Sequence, residues 1–236
     1  MTFDLVEIWH EMGIIGRLVT VTLFTMSIWS IGVMVERAVT FFVQRSRAKA
    51  FAHQLAGLLE AGKVQQARAA AAESRCYLGA LVEAGLNEYL KCDDRELHER
   101  LGHTESAMER AELRETQRLK RGQGVLGTVG STAPFVGLLG TTMGIVSAFE
   151  RMAETGGGGL GAISAAIGES LLNTALGLIV AIPAVIAFNY FTGRLEAAGV
   201  DMSEVISELV DYLHRERVEP PAASGAATKA ATVKAS

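Results

Sequence analysis

Two long apolar segments in the second half of the chain carry no charged side chain, and this restricts the fold more than any other feature. No Asp, Glu, Lys or Arg occurs from Gly122 to Phe149 or from Ser170 to Gly193. Because about 20 apolar residues in a helix cross a bilayer core, each segment is long enough to span a membrane. A third apolar run covers Leu18–Val35. The sequence therefore predicts an all-α membrane protein with three transmembrane helices.

Basic residues flank the spans unevenly and predict their orientation. One cluster follows the first span and another precedes the second, and they comprise Arg37, Arg45, Arg47 and Lys49, then Arg114, Arg118, Lys120 and Arg121. Since cytoplasmic flanks of membrane helices carry the excess of Lys and Arg, the N-terminus is expected outside and the C-terminus inside. Long helices are expected to extend into a cytoplasmic helical bundle.

This topology divides the chain into eight predicted segments. They are an extracytoplasmic N-terminus at 1–13, a transmembrane helix at 14–36, a cytoplasmic helical domain at 37–122, a second transmembrane helix at 123–149, an extracytoplasmic turn at 150–168, a third transmembrane helix at 169–192, a cytoplasmic amphipathic helix at 193–218 and a disordered tail at 219–236. The amphipathic helix is predicted from apolar residues at helical spacing, namely Met202, Val205, Ile206, Leu209 and Leu213.

Composition excludes several function classes. The net charge of −4 and the lack of a basic stripe with interleaved aromatics argue against nucleic acid as a partner. Cys76 and Cys92 are the only cysteines, and we interpret them as free thiols in a reducing compartment rather than as a disulfide or metal site. The five histidines are scattered and form no ligand set, so neither a metal nor another cofactor is expected.

Small and hydroxylated residues form a stripe along each of the two charge-free segments. The stripes comprise Gly130, Pro134, Gly137, Thr141, Gly144 and Ala148, and Ser170, Asn173, Thr174, Gly177, Ala181 and Ala184. Close packing of membrane helices explains the glycines and alanines. It explains Thr141, Asn173 and Thr174 less well, because polar groups at membrane depth need partners or water. Pro134 and Pro183 are either incidental kinks or sites where a backbone carbonyl is freed inside the membrane.

Glu169 stands at the predicted beginning of the third span. A carboxylate in the first turn of a helix ordinarily stabilises the helix dipole, and this is the structural interpretation of Glu169. The neighbouring Ser170, Asn173 and Thr174 offer no base to activate a nucleophile. An intramembrane enzyme is therefore not expected.

Two blocks of sequence within these segments carry a resemblance to a known family. The first block runs from Ser131 to Thr141 and continues to Gly144 and Ile145. The second comprises Ile167–Leu178, Ala181–Ala184 and Asn189. They resemble the MotA/TolQ/ExbB family of proton-channel proteins, and the TolQ/ExbB branch more than flagellar MotA. The order of the spans, the large loop after the first and the short outer turn agree as well. The sequence departs from the commonest pattern at Asn173, where a small or apolar residue is more usual.

The resemblance implies a multi-pass stator subunit of the bacterial inner membrane. Five copies would enclose two copies of a single-span partner of the ExbD/TolR type that carries an aspartate. Proton flow would be coupled to rotation and delivered to a further envelope protein of TonB, TolA or gliding-machinery type, with membrane lipid around the assembly. The residues assigned to the ion pathway are Thr141, Thr174, Glu169 and Asn173, with Glu169 at the outer mouth. The positions assigned to helix kinks and packing are Pro134, Gly137, Gly144, Gly177 and Pro183.

A passive membrane scaffold is the alternative function. It predicts that polar residues of the stripes tolerate replacement by apolar residues of similar size. The stator interpretation makes a different demand, because the spans contain no Asp, Glu or Lys to bind and release a proton. An ionisable group must then come from another protein.

Overall fold

A computed structural model describes residues 13–91, 96–154 and 160–218 of the chain. These residues form helices and contain no strand, so the prediction of an all-α protein is confirmed for the part that is described. The helices are α1 (Ile14–Glu60), α2 (Val64–Glu73), α3 (Tyr77–Lys91), α4 (Leu97–Lys120), α5 (Gln123–Glu154) and α6 (Leu160–Val218).

Three of the helices are long and apolar enough to cross a membrane, as the sequence predicted. They are Ile14–Glu60 and the parts of α5 and α6 at Gln123–Glu150 and Ser170–Arg215. Helix also occupies 150–154 and 160–168, two stretches that were predicted as an extracytoplasmic turn. Gly156–Gly159 lie outside the described residues, as do the N-terminal segment and the tail from residue 219.

The chain divides into two compact units, and the first contains the apolar segments. This membrane unit comprises residues 1–40 and 120–194. Its core is small and is shared by α1, α5 and α6, with the buried members Val19, Leu23, Val129, Ala133, Ala181 and Ala184. Many larger apolar side chains of the same helices, among them Phe24, Phe135 and Ile179, are strongly exposed. Such a surface needs lipid or other protein subunits to cover it.

A short break separates α4 from α5. Helix α4 ends at Lys120 and α5 begins at Gln123. Gly122 lies between them with a φ of +87°, in the left-handed region that glycine adopts without steric penalty. The Val125 amide then donates to the Gly122 carbonyl oxygen at 3.2 Å, which starts the new helix.

The second unit comprises residues 41–119 and 195–236, and we call it the bundle unit. Its larger core is built from leucine, methionine and aromatic side chains, including Phe51, Leu81, Leu86, Met108 and Leu213. The apolar periodicity predicted after the third span is confirmed, because four of its five members are buried and the fifth is half-buried. They belong to α6 itself, which continues without a break from the third membrane-capable segment.

Polar contacts fix several side chains of the bundle unit. The Tyr77 hydroxyl donates to Asp201 Oδ2 at 2.9 Å. The buried Arg100 donates from Nε to the Tyr89 carbonyl oxygen at 2.7 Å, and its guanidinium lies 3.7 Å from the centre of the Tyr89 ring. Cys76 is buried as a free thiol, whereas Cys92 lies outside the described residues.

Candidate functional site

The stripes of small residues on α5 and α6 face each other within one chain. A Cβ atom placed on Gly137 would lie 2.7 Å from the Asn173 carbonyl oxygen, and one on Gly177 would lie 2.7 Å from the Ala133 carbonyl oxygen. Because these obstacles are backbone atoms, they cannot move aside as a flexible side chain does. The two helices therefore approach as closely as they do only with glycine at both positions.

The other predicted packing positions lie at different places along the two helices. A Cβ atom on Gly144 would collide with the Ser170 side chain, so this glycine also permits close contact between α5 and α6. Pro134 lies inside α5 and is half-buried. Pro183 lies inside α6 but is exposed, on a side of the helix away from the contact. Each proline removes one helical hydrogen bond from its helix.

The structure brings the two predicted ion-pathway threonines together. The Thr174 hydroxyl donates to Thr141 Oγ1 at 3.4 Å, and the Thr141 hydroxyl donates to the Leu138 carbonyl oxygen at 2.7 Å. Thr141 is buried and Thr174 is half-buried. We call this arrangement the hydroxyl pair. Because the Thr174 hydroxyl acts as the donor in this pair, its oxygen lone pairs remain available to accept a hydrogen bond from another group.

Asn173 is buried and reaches a residue that sequence reasoning missed. Thr20 Oγ1 of α1 lies 3.1 Å from Asn173 Oδ1, which ties α1 to α6. The same hydroxyl lies 3.0 Å from the Gly16 carbonyl oxygen. Thr20 had no periodic signal in the sequence to mark it. The neighbouring Thr22 and Thr25 donate to carbonyl oxygens of their own helix.

A cavity of about 390 Å³ lies beside Asn173 within the membrane unit. Its walls come from the beginning of α1, the second half of α5 and the first half of α6. The lining residues are Gly13, Ile14, Ile15, Gly16, Gly140, Met143, Gly144, Ser147, Ser170 and Asn173. Three of them bring hydroxyl or amide groups, so the wall of the cavity combines polar groups with apolar side chains and glycines.

The expected capping role of Glu169 is wrong. Helix α6 begins at Leu160, more than two turns before Glu169, and its first turn contains no acidic residue. The unpaired amides and the positive end of the dipole belong to that first turn, so a carboxylate at Glu169 is too far along the helix to cap it. The side chain of Glu169 itself lies outside the described part of the structure.

The hydroxyl pair cannot bind a proton by itself. Threonine hydroxyls are neutral hydrogen-bonding groups, and neither charge-free segment contains an acidic or basic residue. Among the residues that the structure describes, no group of His, Cys, Asp and Glu is placed to hold a metal ion. A group that binds and releases a proton at this site would therefore have to come from outside the two charge-free segments.

Comparison with known proteins identifies the family to which the chain is similar. The sequence model of the MotA/TolQ/ExbB proton channel family matches residues 74–204, a range that includes both stripes and the hydroxyl pair. The biopolymer transport protein ExbB of Salmonella typhimurium is 30% identical over 211 residues, which cover 86% of this chain and 83% of that protein.

Two further relatives match over shorter segments. The biopolymer transport protein ExbB of Xanthomonas campestris pv. campestris is 50% identical over 86 residues, which make up 36% of this chain and span 34% of that relative's length. The Tol-Pal system protein TolQ of Pseudomonas aeruginosa is 41% identical over 110 residues, or 47% of this chain and 48% of that relative.

Proposed function

From the premise that the chain belongs to the MotA/TolQ/ExbB proton channel family, we propose that it is the ion-conducting stator subunit of a motor driven by the proton-motive force. The chain is a multi-pass protein of the bacterial inner membrane. In the proposed motor, five copies enclose two copies of a single-span ExbD/TolR-like subunit, and proton flow past an aspartate of that subunit drives rotation.

The hydroxyl pair is the observation that carries this proposal. Its two hydrogen bonds run from Thr174 to Thr141 and from Thr141 to the Leu138 carbonyl oxygen. Both hydroxyl hydrogens are therefore directed toward α5. Hydrogen bonds arranged in a chain polarise one another, which strengthens the outermost acceptor. Thr174 then accepts well from water, hydronium or a protonated carboxyl group. This polarity suits a path along which a proton approaches a partner's carboxylate.

The surface of the membrane unit supports assembly with other chains. Phe135, Ile179 and Ile186 are exposed on α5 and α6, although each is large and apolar. In a bilayer some of this surface meets lipid, but helices from neighbouring copies and from the partner would cover the remainder. The pentamer and the orientation with its N-terminus outside both belong to the proposal.

The work that the motor performs is proposed from the names of the relatives. ExbB proteins are named for biopolymer transport and TolQ proteins for the Tol-Pal system. We therefore propose that rotation acts on a further envelope protein of TonB, TolA or gliding-machinery type. Glu169 is assigned to the outer mouth of the path on family resemblance alone.

Threonine variants test the proposal. Replacing Thr174 with Val keeps the shape of the side chain and removes its hydrogen bonds, so we expect the complex to assemble but to lose motor output. Thr141→Val should act in the same direction. Thr174→Ser is the matched control, since it retains the hydroxyl and should preserve much of the activity. Motor output is measured beside the abundance of the assembled complex in each strain.

A passive membrane scaffold is the second candidate, and one observation favours it. The backbone contact at Gly137 and Gly177 explains the glycines of the stripes by packing alone. A scaffold needs that contact but does not need the hydroxyls. Full motor output from the double variant Thr141→Val with Thr174→Val would leave the scaffold as the remaining candidate.

A further inference from the structure

The cavity beside Asn173 is separate from the hydroxyl pair, and Asn173 is the one described residue of the proposed ion pathway that lines it. Neither Thr141 nor Thr174 lines it, yet their immediate predecessors in the two helices, Gly140 and Asn173, form part of its wall. Two adjacent helical positions point about 100° apart, so the cavity and the hydroxyl pair lie on neighbouring faces at the same depth. A volume of about 390 Å³ holds several waters, since one water occupies about 30 Å³ in the liquid.

The amide of Asn173 indicates what fills this space. The Thr20 hydroxyl has one hydrogen but two acceptors in reach, the Gly16 carbonyl oxygen at 3.0 Å and Asn173 Oδ1 at 3.1 Å. If Thr20 donates to the amide oxygen, the NH₂ end of Asn173 is left for another partner. If Thr20 instead donates to the Gly16 carbonyl oxygen, the Asn173 amide is flipped so that its NH₂ group donates to Thr20. The amide oxygen of Asn173 is then left for another partner.

In either case one end of a buried amide faces the cavity. Asn173 is only 2% exposed, and its Nδ2 lies 3.0 Å from where a Cβ atom on the cavity-lining Gly140 would stand. Hydrocarbon offers this end no hydrogen bond, and a buried polar group without a partner is strongly disfavoured. Water satisfies an amide of either orientation, because it both donates and accepts. Ser147 and Ser170 add polar groups to the same wall.

We propose that this cavity is a water-filled chamber inside each protomer, through which protons reach the hydroxyl pair from the outer face of the membrane. The backbone contact of Gly137 with Gly177 limits the chamber, because it leaves no gap for water between α5 and α6 at that level. Water therefore reaches the depth of the hydroxyl pair and stops there. The direction of proton movement rests on the proposed stator function, whereas the presence of water does not.

Accessibility of introduced cysteines tests the chamber. In the full complex, with Cys76 and Cys92 replaced by alanine, Ser147→Cys places a thiol in the cavity wall. Val146→Cys is the matched control, since it is one residue away and 51% exposed on an apolar surface. A charged methanethiosulfonate reagent modifies thiolates, which form only where water is present, so we expect the thiol at position 147 to react at least about tenfold faster.

Two second-site variants distinguish the chamber from other routes for the reagent. Asn173→Leu fills the wall with an apolar side chain and should lower the reaction rate of Ser147→Cys about tenfold, because water is excluded. Thr20→Val removes the hydroxyl on the far side of the amide and leaves the chamber side intact, so the rate should stay within about twofold of its parent. Ser170→Cys repeats the measurement if Ser147→Cys does not assemble.

The outcomes separate this proposal from the stator function. Reaction at position 147 in intact cells, with slow reaction at 146, supports a chamber that is reached from outside. Equal rates at the two positions, no reaction at 147, or reaction only after permeabilisation would each overturn it. If the thiol at 147 is unreactive while Thr174→Val still abolishes motor output, the chamber fails and the stator survives. If the thiol reacts while the double threonine variant keeps full output, the stator fails and the water-filled chamber survives.

Discussion

The membrane unit and the bundle unit use apolar side chains in opposite ways. In the bundle unit the largest of them point inward, and Leu81, Leu86, Met108 and Met202 have no exposed surface. In the membrane unit the six residues of the core include three alanines, and side chains as large as Phe135 are left outside. The bundle unit is thus stabilised by burial from water, as in a soluble domain, whereas the exposed apolar surface of the membrane unit must be covered by lipid or by other chains.

This difference leaves the buried positions of the membrane unit for small and polar residues. Thr141, Ser170 and Asn173 are buried there, next to glycines that allow backbone contact. Inside a bilayer the hydrophobic effect does not drive helices to associate. Close packing and interhelical hydrogen bonds stabilise their association instead. Thr141 and Asn173, which are buried at this helix contact, are also residues that the proposed function assigns to conduction.

The largest expected effect comes from the bundle core. Leu86→Ala removes a fully buried side chain and should lower the free energy of unfolding by about 2–5 kcal/mol. Ile179→Ala in the membrane unit is the matched control, since this side chain is 66% exposed and its loss opens no internal cavity. Hydrogen exchange of bundle amides in detergent measures the first effect. Similar protection in both variants would remove the distinction between the two units.

A smaller effect is expected at the glycine contact. Gly177→Ala places a methyl group against the Ala133 carbonyl oxygen and the backbone of Gly137, and overpacking of this kind costs about 1–3 kcal/mol. Gly168→Ala in the same helix is the control, because no atom lies within 4 Å of its added Cβ. Thermal unfolding of the purified complex should separate the two variants. A complex with Gly177→Ala as stable as the control would show that the close helix contact is not required.

The smallest effect concerns alkaline pH and the bundle unit. Burial of the phenol, aided by its hydrogen bond to Asp201, raises the pKa of Tyr77 above its ordinary value of 10.0. The folded state therefore favours the neutral phenol of Tyr77. The stability that this phenol contributes is fully present below pH 10. As the pH rises past about 10, the unfolded chain releases this proton first, so stability falls by up to about 1.4 kcal/mol per pH unit.

Tyr77→Phe isolates this contribution from other groups that titrate in the same range. The variant lacks the phenol, so its bundle should lose less stability between neutral and alkaline pH than the parent does. Hydrogen exchange of α3 amides, measured in parallel for the two proteins, gives the difference. An identical pH dependence would mean that Tyr77 ionises as readily in the folded protein as in the unfolded chain.

Much of the fold was predictable from the sequence because charges are absent from long segments. The helix ends were less predictable. Polar helix-forming residues continue α1 to Glu60 and α6 to Val218, and nothing in the apolar pattern marks where a helix leaves the membrane. The start of α6 at Leu160 was missed because Gly161 and Gly168 disfavour a helix in a stretch that follows four consecutive glycines.

The site was predictable only where a pattern repeats. Thr141 and Thr174 each occupy a stripe with helical spacing, and the structure places their hydroxyls in contact. The link between Thr20 and Asn173 depends on how α1 packs against the other two helices, which spacing within one helix does not determine. The cavity likewise exists only after three helices have come together, so no single segment of sequence encodes it.

Proton flux through the assembled complex tests the central claim most directly. Vesicles containing this chain and the proposed single-span partner are given a pH gradient, and internal acidification is followed for Thr174→Val, Thr174→Ser and the parent protein. If the hydroxyl stabilises the transferring proton by about 1.4 kcal/mol or more, flux through Thr174→Val falls at least about tenfold, whereas Thr174→Ser stays close to the parent. Undiminished flux through Thr174→Val would contradict the account.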